Sequence, residues 1–187
     1  EVQKTIVCVT HDFDEAVMLG DWMAILNQGA QLEQYDSPER ILANPASEFV
    51  ENFIGSGAGL KQLTLTRVNE VELSEAITTT AGKNASDVLS QLQGAGRKYV
   101  VVLDSRGRPV RRLNRRQLSR AEIIDGTYDP DLPVVGEQAT LNDALDTMLV
   151  ASTESALVTG RRDVLKGIST GQTVMEAIAA TNSNMDG

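Results

Sequence analysis

Three groups of residues in this sequence have types and spacing that could carry chemistry. His11 follows an apolar run at the end of an expected strand, where a lone histidine is more often structural than functional. Gly167, Thr170 and Thr173 are spaced three residues apart around the start of an expected helix, and they supply a glycine and two hydroxyls. A plain helix N-cap at Thr170 explains the same pattern equally well. The third group is a run of arginines in the middle of the chain.

The arginine run concentrates positive charge in a chain whose net charge is −9. Against one acid, Asp104, nine cations stand in this run: Arg97, Lys98, Arg106, Arg108, Arg111, Arg112, Arg115, Arg116 and Arg120. Two interpretations stay open, a solvated face or an anion site for acidic lipid headgroups or a phosphate-rich messenger. Neighbours on a strand point to opposite faces, so Arg111 and Arg112 belong to different surfaces. The candidate anion and lipid patch comprises Arg112, Arg115, Arg116 and Arg120.

The sequence argues against several classes of function. It contains no G-x-x-x-x-G-K-[ST] phosphate loop, since Gly82-Lys83 is followed by Asn84, and we expect no ATP hydrolysis by this chain alone. The acidic net charge argues against nucleic-acid binding, and no metal site is predicted. Cys8, in an apolar run, predicts a buried thiol in a reducing compartment. No apolar run approaches the ~20 residues that span a bilayer.

Residues 1–54 have the pattern of an acidic α/β segment. The run Lys4–Thr10 predicts a strand buried on both faces, followed by a helix that Asp12 or Asp14 caps. Strands are expected at 22–26 and 31–35, and helices at 38–44 and 47–54. Because the chain starts at Glu1 and opens directly into a strand, we expect a fragment of a longer protein. Glycines at 55–59 predict a flexible linker.

The remainder of the chain contains an internal repeat, in which Asp87 of the first copy corresponds to Asp143 of the second. This constant spacing, which we call the repeat offset, aligns Ser86–Leu89 with Asn142–Leu145, and Val100–Val102 with Ala156–Val158, without gaps. Each copy predicts a strand, a capped helix, an apolar strand, a polar turn, another strand and a last helix. These elements are expected at 76–80, 86–94, 98–104, 109–113 and 115–124, and again at 132–136, 142–151, 155–159, 165–169 and 172–180.

The run Thr5–Ala16 resembles the switch-histidine segment of ABC-transporter ATPases. Gly20–Leu26, the turn at Gly29 and Asp36–Ile41 continue in the order of that family, so the resemblance covers about residues 3–54. It implies that His11 contacts the γ-phosphate of ATP and senses hydrolysis in an intact subunit that holds ATP and Mg. The motifs that bind the nucleotide in that family would lie upstream, and no cofactor is expected in this segment.

The repeated β-α-β-β-α unit resembles the cystathionine β-synthase (CBS) domain, which works as a pair. In that family, adenosine-type ligands meet the pattern G-x-x-[ST]-x-x-D at the start of the last helix. Gly167 and Thr170 match its glycine and hydroxyl, whereas Thr173 replaces its acid. Arg111 and Asn114 fall at the first two places in the first copy and match neither. The resemblance implies these ligand-binding candidates, with ordinary ribose recognition disfavoured in both copies.

The combination of the two segments resembles ATP-binding subunits of osmoregulatory importers for glycine betaine, carnitine, choline or proline. It implies an α/β (α+β) fold with an ATPase fragment at 1–54, a linker at 55–63, CBS domains at 64–125 and 126–182, and a tail at 183–187. The pair would sense ionic strength or an adenine nucleotide such as cyclic di-AMP, and gate transport. Expected partners are permease subunits, acidic lipids and a second copy that exchanges its N-terminal segment, at the cytoplasmic face of the membrane. A stand-alone nucleotide-sensing module and a structural dimerisation domain stay open as alternatives.

Overall fold

The computed structural model describes the backbone of residues 4–183 and the side chains of residues 4–179. Glu1 and all but the first residue of the predicted tail lie outside the described residues. The chain forms two units, of which one comprises the residues up to Leu65 together with those from Glu176, and the other comprises Thr66–Met175. No described helix is long and apolar enough to cross a lipid bilayer.

The first unit consists of short helices around one antiparallel pair of strands. Its elements are α1 Phe13–Leu19, β1 Met23–Leu26, β2 Leu32–Asp36, α2 Pro38–Ala43, α3 Glu48–Ile54 and α4 Ala58–Leu65. Asp12 and Ser37 accept hydrogen bonds from backbone N–H groups in the first turns of α1 and α2, as the sequence predicts. The buried core comprises Phe13, Val17, Met23, Ile25, Ile41, Leu42, Val50 and Ile54.

The prediction of a buried strand at Lys4–Thr10 is wrong. This run has no regular secondary structure, and Ile6, Val7 and Val9 are 85%, 86% and 93% exposed. A strand needs a neighbour for its backbone hydrogen bonds, and among the described residues β1 and β2 pair only with each other. Cys8, which the sequence predicts to be buried, is exposed for the same reason.

Helix α4 occupies most of the segment for which the sequence predicts a flexible linker. Gly55, with φ of 76°, ends α3, and the chain then re-enters a helix. Leu63 in α4 is only 1% exposed. A Cβ atom on Gly59 would lie 2.7 Å from Cγ2 of Ile178, so glycine allows α4 to approach that side chain. These glycines therefore serve a turn and a close packing contact.

The second unit contains two three-stranded sheets of the same topology. The first repeat has β3 Thr78–Thr80, α5 Ala85–Gly94, β4 Tyr99–Leu103, β5 Pro109–Asn114 and α6 Arg115–Leu118. The second repeat has β6 Val134–Gly136, α7 Leu141–Val150, β7 Ser155–Thr159, β8 Leu165–Thr170 and α8 Gly171–Ser183, of which the residues from Glu176 onwards belong to the first unit. In each sheet the central strand, β4 or β7, pairs in parallel with the first strand and antiparallel with the last.

The strand registers of the two repeats agree at the repeat offset. Thr78 pairs with Val101 in the first sheet, and Val134 pairs with Leu157 in the second. An irregularity in register also interrupts both antiparallel pairs at equivalent positions. The α/β fold and the repeat that the sequence predicts are therefore confirmed.

Each repeat is completed by the segment that precedes the other one. Val68 donates its backbone N–H to the carbonyl of Ala139 at 2.9 Å, just before α7. At the equivalent position, Ile124 donates to the carbonyl of Lys83 at 2.8 Å, just before α5. Because the two segments cross over in this way, neither repeat is complete without the other.

This crossover also explains a helix that is shorter than expected. The sequence predicts a helix over 115–124, but α6 ends at Leu118. Ala85 donates its N–H to the carbonyl of Glu122 at 2.9 Å, beside the bond between Ile124 and Lys83. A helix continued to residue 124 would break both bonds and leave the start of α5 without these partners.

The two sheets meet in a small apolar core between the repeats. Its buried residues are Val101, Leu132, Leu157 and Ile168. Beside it, Tyr99 and Ser155 share a hydrogen bond, and Lys98 and Glu154 form an ion pair. Both pairs join equivalent positions of the two repeats, which indicates an approximate two-fold relation between them.

Candidate ligand-binding sites of the repeat pair

The predicted hydroxyl residues of the second repeat lie at the junction of β8 and α8. Thr173 donates its backbone N–H to Oγ1 of Thr170 at 3.2 Å, and Thr170 donates its N–H to Oγ1 of Thr173 at 3.3 Å. The two hydroxyl oxygens are 3.1 Å apart. Thr173 is buried, whereas Thr170 is half-buried and is the hydroxyl that solvent can reach. Thr170 therefore caps α8 and presents a hydroxyl at the N-terminus of a 13-residue helix.

Gly167 lies where the segment before the first repeat crosses β8. A Cβ atom on Gly167 would lie 2.9 Å from Cβ of Leu73 and 3.1 Å from the carbonyl oxygen of Ser74. Ser74 and Ile168 exchange two backbone hydrogen bonds of 2.9 Å at this crossing. Glycine is therefore required here for backbone packing, independently of any ligand.

The position of the first repeat that is equivalent to Gly167 holds Arg111. Arg111 donates from Nη1 to Oδ2 of Asp125 at 2.5 Å, and its Nε is buried without a hydrogen-bond partner among the described residues. Asn114 caps α6, and its amide oxygen accepts from the backbone N–H of Gln117 at 2.9 Å. Both residues are ligand-binding candidates from the sequence; in the structure Arg111 forms an ion pair and Asn114 caps a helix, and their role toward a ligand stays a prediction.

The carboxylate that holds Arg111 is kept charged by its surroundings. Hydrogen bonds from Thr127, followed by the positive charge of Arg111, hold the pKa of Asp125 below its ordinary value of 3.8. The charged form of Asp125, and with it the ion pair to Arg111, therefore persists to a lower pH than an ordinary carboxylate would allow.

The structure distributes the four basic residues of the predicted patch over different environments. Arg112 lies with its guanidinium carbon 4.5 Å from the centre of the Tyr99 ring, a cation–π contact. Arg115 donates to a backbone carbonyl, that of Arg97, at 3.1 Å. Arg116 and Arg120 are exposed on α6 and just after it. Arg112 is thus engaged within the repeat pair, and the other three are the ones available to an external anion.

His11 lies in the first unit, immediately before the residue that caps α1. Its side chain is exposed, and Asp12 beside it accepts hydrogen bonds from the first turn of the helix. The role of His11 toward ATP in an intact subunit stays a prediction.

The structure also brings together basic residues that were not predicted to share a site. One surface depression is lined by Arg106, Arg108, Arg162, Asp163 and Val164, and another by Arg161 and Arg162. The signal was present in the sequence, because the repeat offset aligns Arg106 with Arg162. In the described part of the chain, no group of His, Cys, Asp and Glu side chains is arranged to hold a metal ion.

Comparison with known proteins connects the chain to transport ATPases. No family model matches the sequence. The osmoprotectant import ATP-binding protein OsmV of Salmonella typhimurium is 34% identical over 125 residues, 66% of this chain and 32% of that protein. The glycine betaine/carnitine/choline transport ATP-binding protein OpuCA of Bacillus subtilis is 29% identical over 95% of this chain and 48% of that protein. The chain therefore spans a third to a half of the length of these relatives.

Solved structures with the same fold are CBS-domain proteins. CBSX2 in complex with AMP matches with a TM-score of 0.55 and 16% identity, over 63% of this chain and 98% of that one. Staphylococcus aureus OpuCA matches with a TM-score of 0.50 and 17% identity, over 58% of this chain and 97% of that one. Over most of its length, the chain thus matches ATP-binding subunits of osmoprotectant ABC transporters, and it contains a CBS-domain pair, as the sequence predicts.

Proposed function

We propose that the chain is a regulatory region of the ATP-binding subunit of an ABC importer. The transported solute belongs to the osmoprotectants named for its relatives, glycine betaine, carnitine or choline, or is proline. The CBS pair binds an adenine nucleotide, such as AMP or cyclic di-AMP, at the second repeat and thereby gates ATP-driven transport. The observation that carries this proposal is the difference between the two candidate clefts.

The second repeat offers an anion a hydroxyl and a helix N-terminus. Thr170 is half-buried at the start of α8, and the helix dipole there favours a phosphate group. In the first repeat, by contrast, the residue equivalent to Gly167 is Arg111, which forms an ion pair with Asp125, and the residue equivalent to Thr170 is Asn114, whose side chain caps α6. A related fold binds AMP in CBSX2, which supports the adenine nucleotide as the ligand class.

Recognition at this site rests on the phosphate more than on the ribose. A carboxylate would be needed to accept hydrogen bonds from the two ribose hydroxyls, but position 173 holds a buried threonine whose hydroxyl already takes part in the helix cap. We therefore expect AMP and its 2′-deoxy analogue to bind with similar affinity.

The signal from a bound nucleotide would pass through α8. This helix starts at the candidate phosphate site, and its later residues belong to the first unit, where Ile178 packs against Gly59. A nucleotide gates transport only if it binds one arrangement of the pair more tightly than another. In an intact subunit, the arrangement that binds the nucleotide more tightly would favour closure of the ATPase around ATP and Mg.

The partners follow from the same proposal. Permease subunits hold the ATP-binding subunit at the cytoplasmic face of the membrane. The exposed side chains of Arg115, Arg116 and Arg120 contact acidic lipids there. A second copy of the chain covers the exposed apolar run Lys4–Thr10 by exchange of this segment. Ionic strength weakens the lipid contact by screening, which gives the transporter a response to salt.

The test compares two helix caps at equivalent positions. Isothermal titration calorimetry with AMP and with cyclic di-AMP is applied to the wild-type chain, to Thr170→Val and to Asn114→Ala. Each substitution removes a side chain that caps a helix, α8 or α6, and each costs about 1 kcal/mol of stability. Only Thr170→Val removes a hydroxyl from the proposed phosphate site, so only this variant loses about tenfold in affinity.

Two results would contradict the proposal. One is the absence of binding to either nucleotide by the folded wild-type chain, which would favour a structural dimerisation domain. The other is an equal loss of affinity in Thr170→Val and Asn114→Ala, which would assign the effect to stability alone. If 2′-deoxyAMP bound much more weakly than AMP, recognition through the phosphate would be wrong.

A further inference from the structure

The two β-hairpin turns of the CBS pair meet at one end of the sheets. The turn between β4 and β5 and the turn between β7 and β8 occupy equivalent positions at the repeat offset. Leu165 donates its backbone N–H to the carbonyl of Gly107 at 3.0 Å, and a Cβ atom on Gly107 would lie 3.5 Å from Val164. We refer to residues 104–108 and 160–164 together as the twin turns.

The twin turns gather arginines from both repeats. Arg106, Arg108 and Arg162 line one depression together with Asp163 and Val164, and Arg161 joins Arg162 at the other depression. Of these arginines, only Arg108 has a side-chain ion pair in the described structure, with Asp104 at 2.7 Å. Arg106, Arg161 and Arg162 are exposed and free to bind an external group.

The local charge is positive in a chain that is acidic overall. The twin turns contain four arginines and two aspartates, Asp104 and Asp163, although the net charge of the chain is −9. Lys166 and Glu137 lie close to Gly160 and offset each other. Since Asp104 is already engaged by Arg108, the remaining arginines keep their capacity for charge-assisted hydrogen bonds.

The backbone of the second turn is held in an unfavourable conformation. Arg162 and Asp163 have φ of 59° and 61°, in the left-handed region that favours glycine. The first turn has Gly107, with φ of 77°, where the second has Asp163. Strained residues of this kind persist mainly where the surroundings fix them, and they concentrate at ligand sites.

We propose that the twin turns bind an anion with two or more adjacent phosphate groups. Guanidinium groups bind phosphate oxygens through paired N–H donors, and three unpaired arginines suit a ligand with several such oxygens. This site is separate from the cleft at Thr170, because β8 runs between them and its six residues span about 20 Å. It uses residues of both repeats, so a bound anion stabilises the pair.

Two probes distinguish a soluble ligand from a lipid headgroup as the anion that the twin turns bind. Sodium tripolyphosphate, measured by isothermal titration calorimetry, represents a soluble ligand. Vesicles of phosphatidylcholine with a phosphatidylinositol bisphosphate, measured by co-sedimentation, represent a lipid headgroup, with pure phosphatidylcholine vesicles as the reference. Both measurements use roughly 50 mM salt, because screening weakens such contacts at higher ionic strength.

The double variant Arg106→Gln/Arg162→Gln removes two of the unpaired arginines. Its matched control is Lys83→Gln/Arg97→Gln, which changes the net charge equally at exposed positions elsewhere in the unit. We expect the first variant to lose at least about tenfold in affinity for the probe that binds, and the control less than about twofold. Binding of tripolyphosphate assigns the site to a soluble ligand, and binding of the vesicles alone assigns it to a headgroup.

A further variant separates loss of binding from loss of fold. Arg162→Gly places glycine at φ of 59°, where it is unstrained, so this variant should unfold at the same or a higher temperature and still bind more weakly. The proposal is overturned if neither probe binds the wild-type chain, or if the control loses as much affinity as the double variant. Neither result depends on Thr170, so the nucleotide proposal stands or falls separately.

Discussion

The two repeats share one fold but differ where a ligand would bind. Their strand registers coincide at the repeat offset, and each repeat is completed by the segment that precedes the other. On the last strand, however, Arg111 in the first repeat forms an ion pair with Asp125, whereas Gly167 in the second packs closely against Leu73. The apolar pattern therefore maintains the fold in both copies, while positions outside that pattern are free to give each copy a different chemistry.

The largest effect is expected in the core that the two repeats share. Leu157 is fully buried between the sheets, opposite its equivalent, Val101. Leu157→Ala should cost about 3 kcal/mol in the free energy of unfolding, measured with urea. The control is Leu149→Ala, which is 66% exposed and should change stability by less than about 0.5 kcal/mol. Equal effects of the two substitutions would argue against a common core.

A smaller loss is expected at the crossing of β8. Gly167→Ala places a methyl group 2.9 Å from Cβ of Leu73 and against the backbone of Ser74, so it should destabilise the chain by about 1–3 kcal/mol. Gly171→Ala, four residues later, meets no atom within 4 Å and should be neutral or stabilise by up to about 1 kcal/mol. If thermal unfolding showed Gly167→Ala to be harmless, the close approach of Leu73 would be wrong.

A gain in stability is expected when Ser169, which is polar where the first repeat has an apolar residue, is replaced by alanine. The hydroxyl of Ser169 is buried without a hydrogen-bond partner among the described residues, whereas the equivalent residue of the first repeat, Leu113, is apolar. Ser169→Ala should raise the free energy of unfolding by about 1 kcal/mol, because it removes an unsatisfied polar group. A loss of stability of similar size would indicate that the hydroxyl is satisfied in solution.

The smallest effect concerns the carboxylate of the first repeat. The pKa of Asp125 is lowered in the folded state, so its contribution to stability is present above the ordinary value of 3.8 and disappears as the pH falls through the folded value. Thr127 is the larger cause and Arg111 the smaller. An NMR titration of Asp125 should therefore show that its pKa rises in Thr127→Ala, which removes the side-chain hydrogen bond, and that it also rises in Arg111→Met. An unchanged pKa in Thr127→Ala would contradict this assignment of the main cause.

The elements of both repeats were predictable from the sequence because local signals agree with the tertiary structure there. The apolar strands, the polar turns and the cap at Thr170 all lie close to their predicted positions. The prediction of a strand at Lys4–Thr10 was wrong, because an apolar run specifies a strand only when a neighbour supplies backbone partners. The predicted helix over 115–124 was too long for a related reason, since the backbone of residues 122–124 bonds to the residues just before and at the start of α5.

The candidate sites were less predictable than the fold. The sequence identifies Thr170 as a hydroxyl at a helix start, but it does not show that Leu73, far away in the chain, packs against Gly167. Similarly, Arg106 and Arg162 are distant in sequence and meet only because the repeats pair through their hairpin turns. Contacts of this kind depend on how the repeats pair, which a single sequence does not specify residue by residue.

The most direct test of the proposed regulatory function is hydrogen exchange on the whole chain, with and without saturating AMP or cyclic di-AMP. A nucleotide at the second repeat should slow exchange of the backbone amides in the segment 167–174, while the equivalent segment 111–118 should change little. The same measurement on Thr170→Val should lose the protection. Equal protection of both segments, or no protection by either nucleotide, would contradict the claim that the second repeat of this CBS pair is its nucleotide sensor.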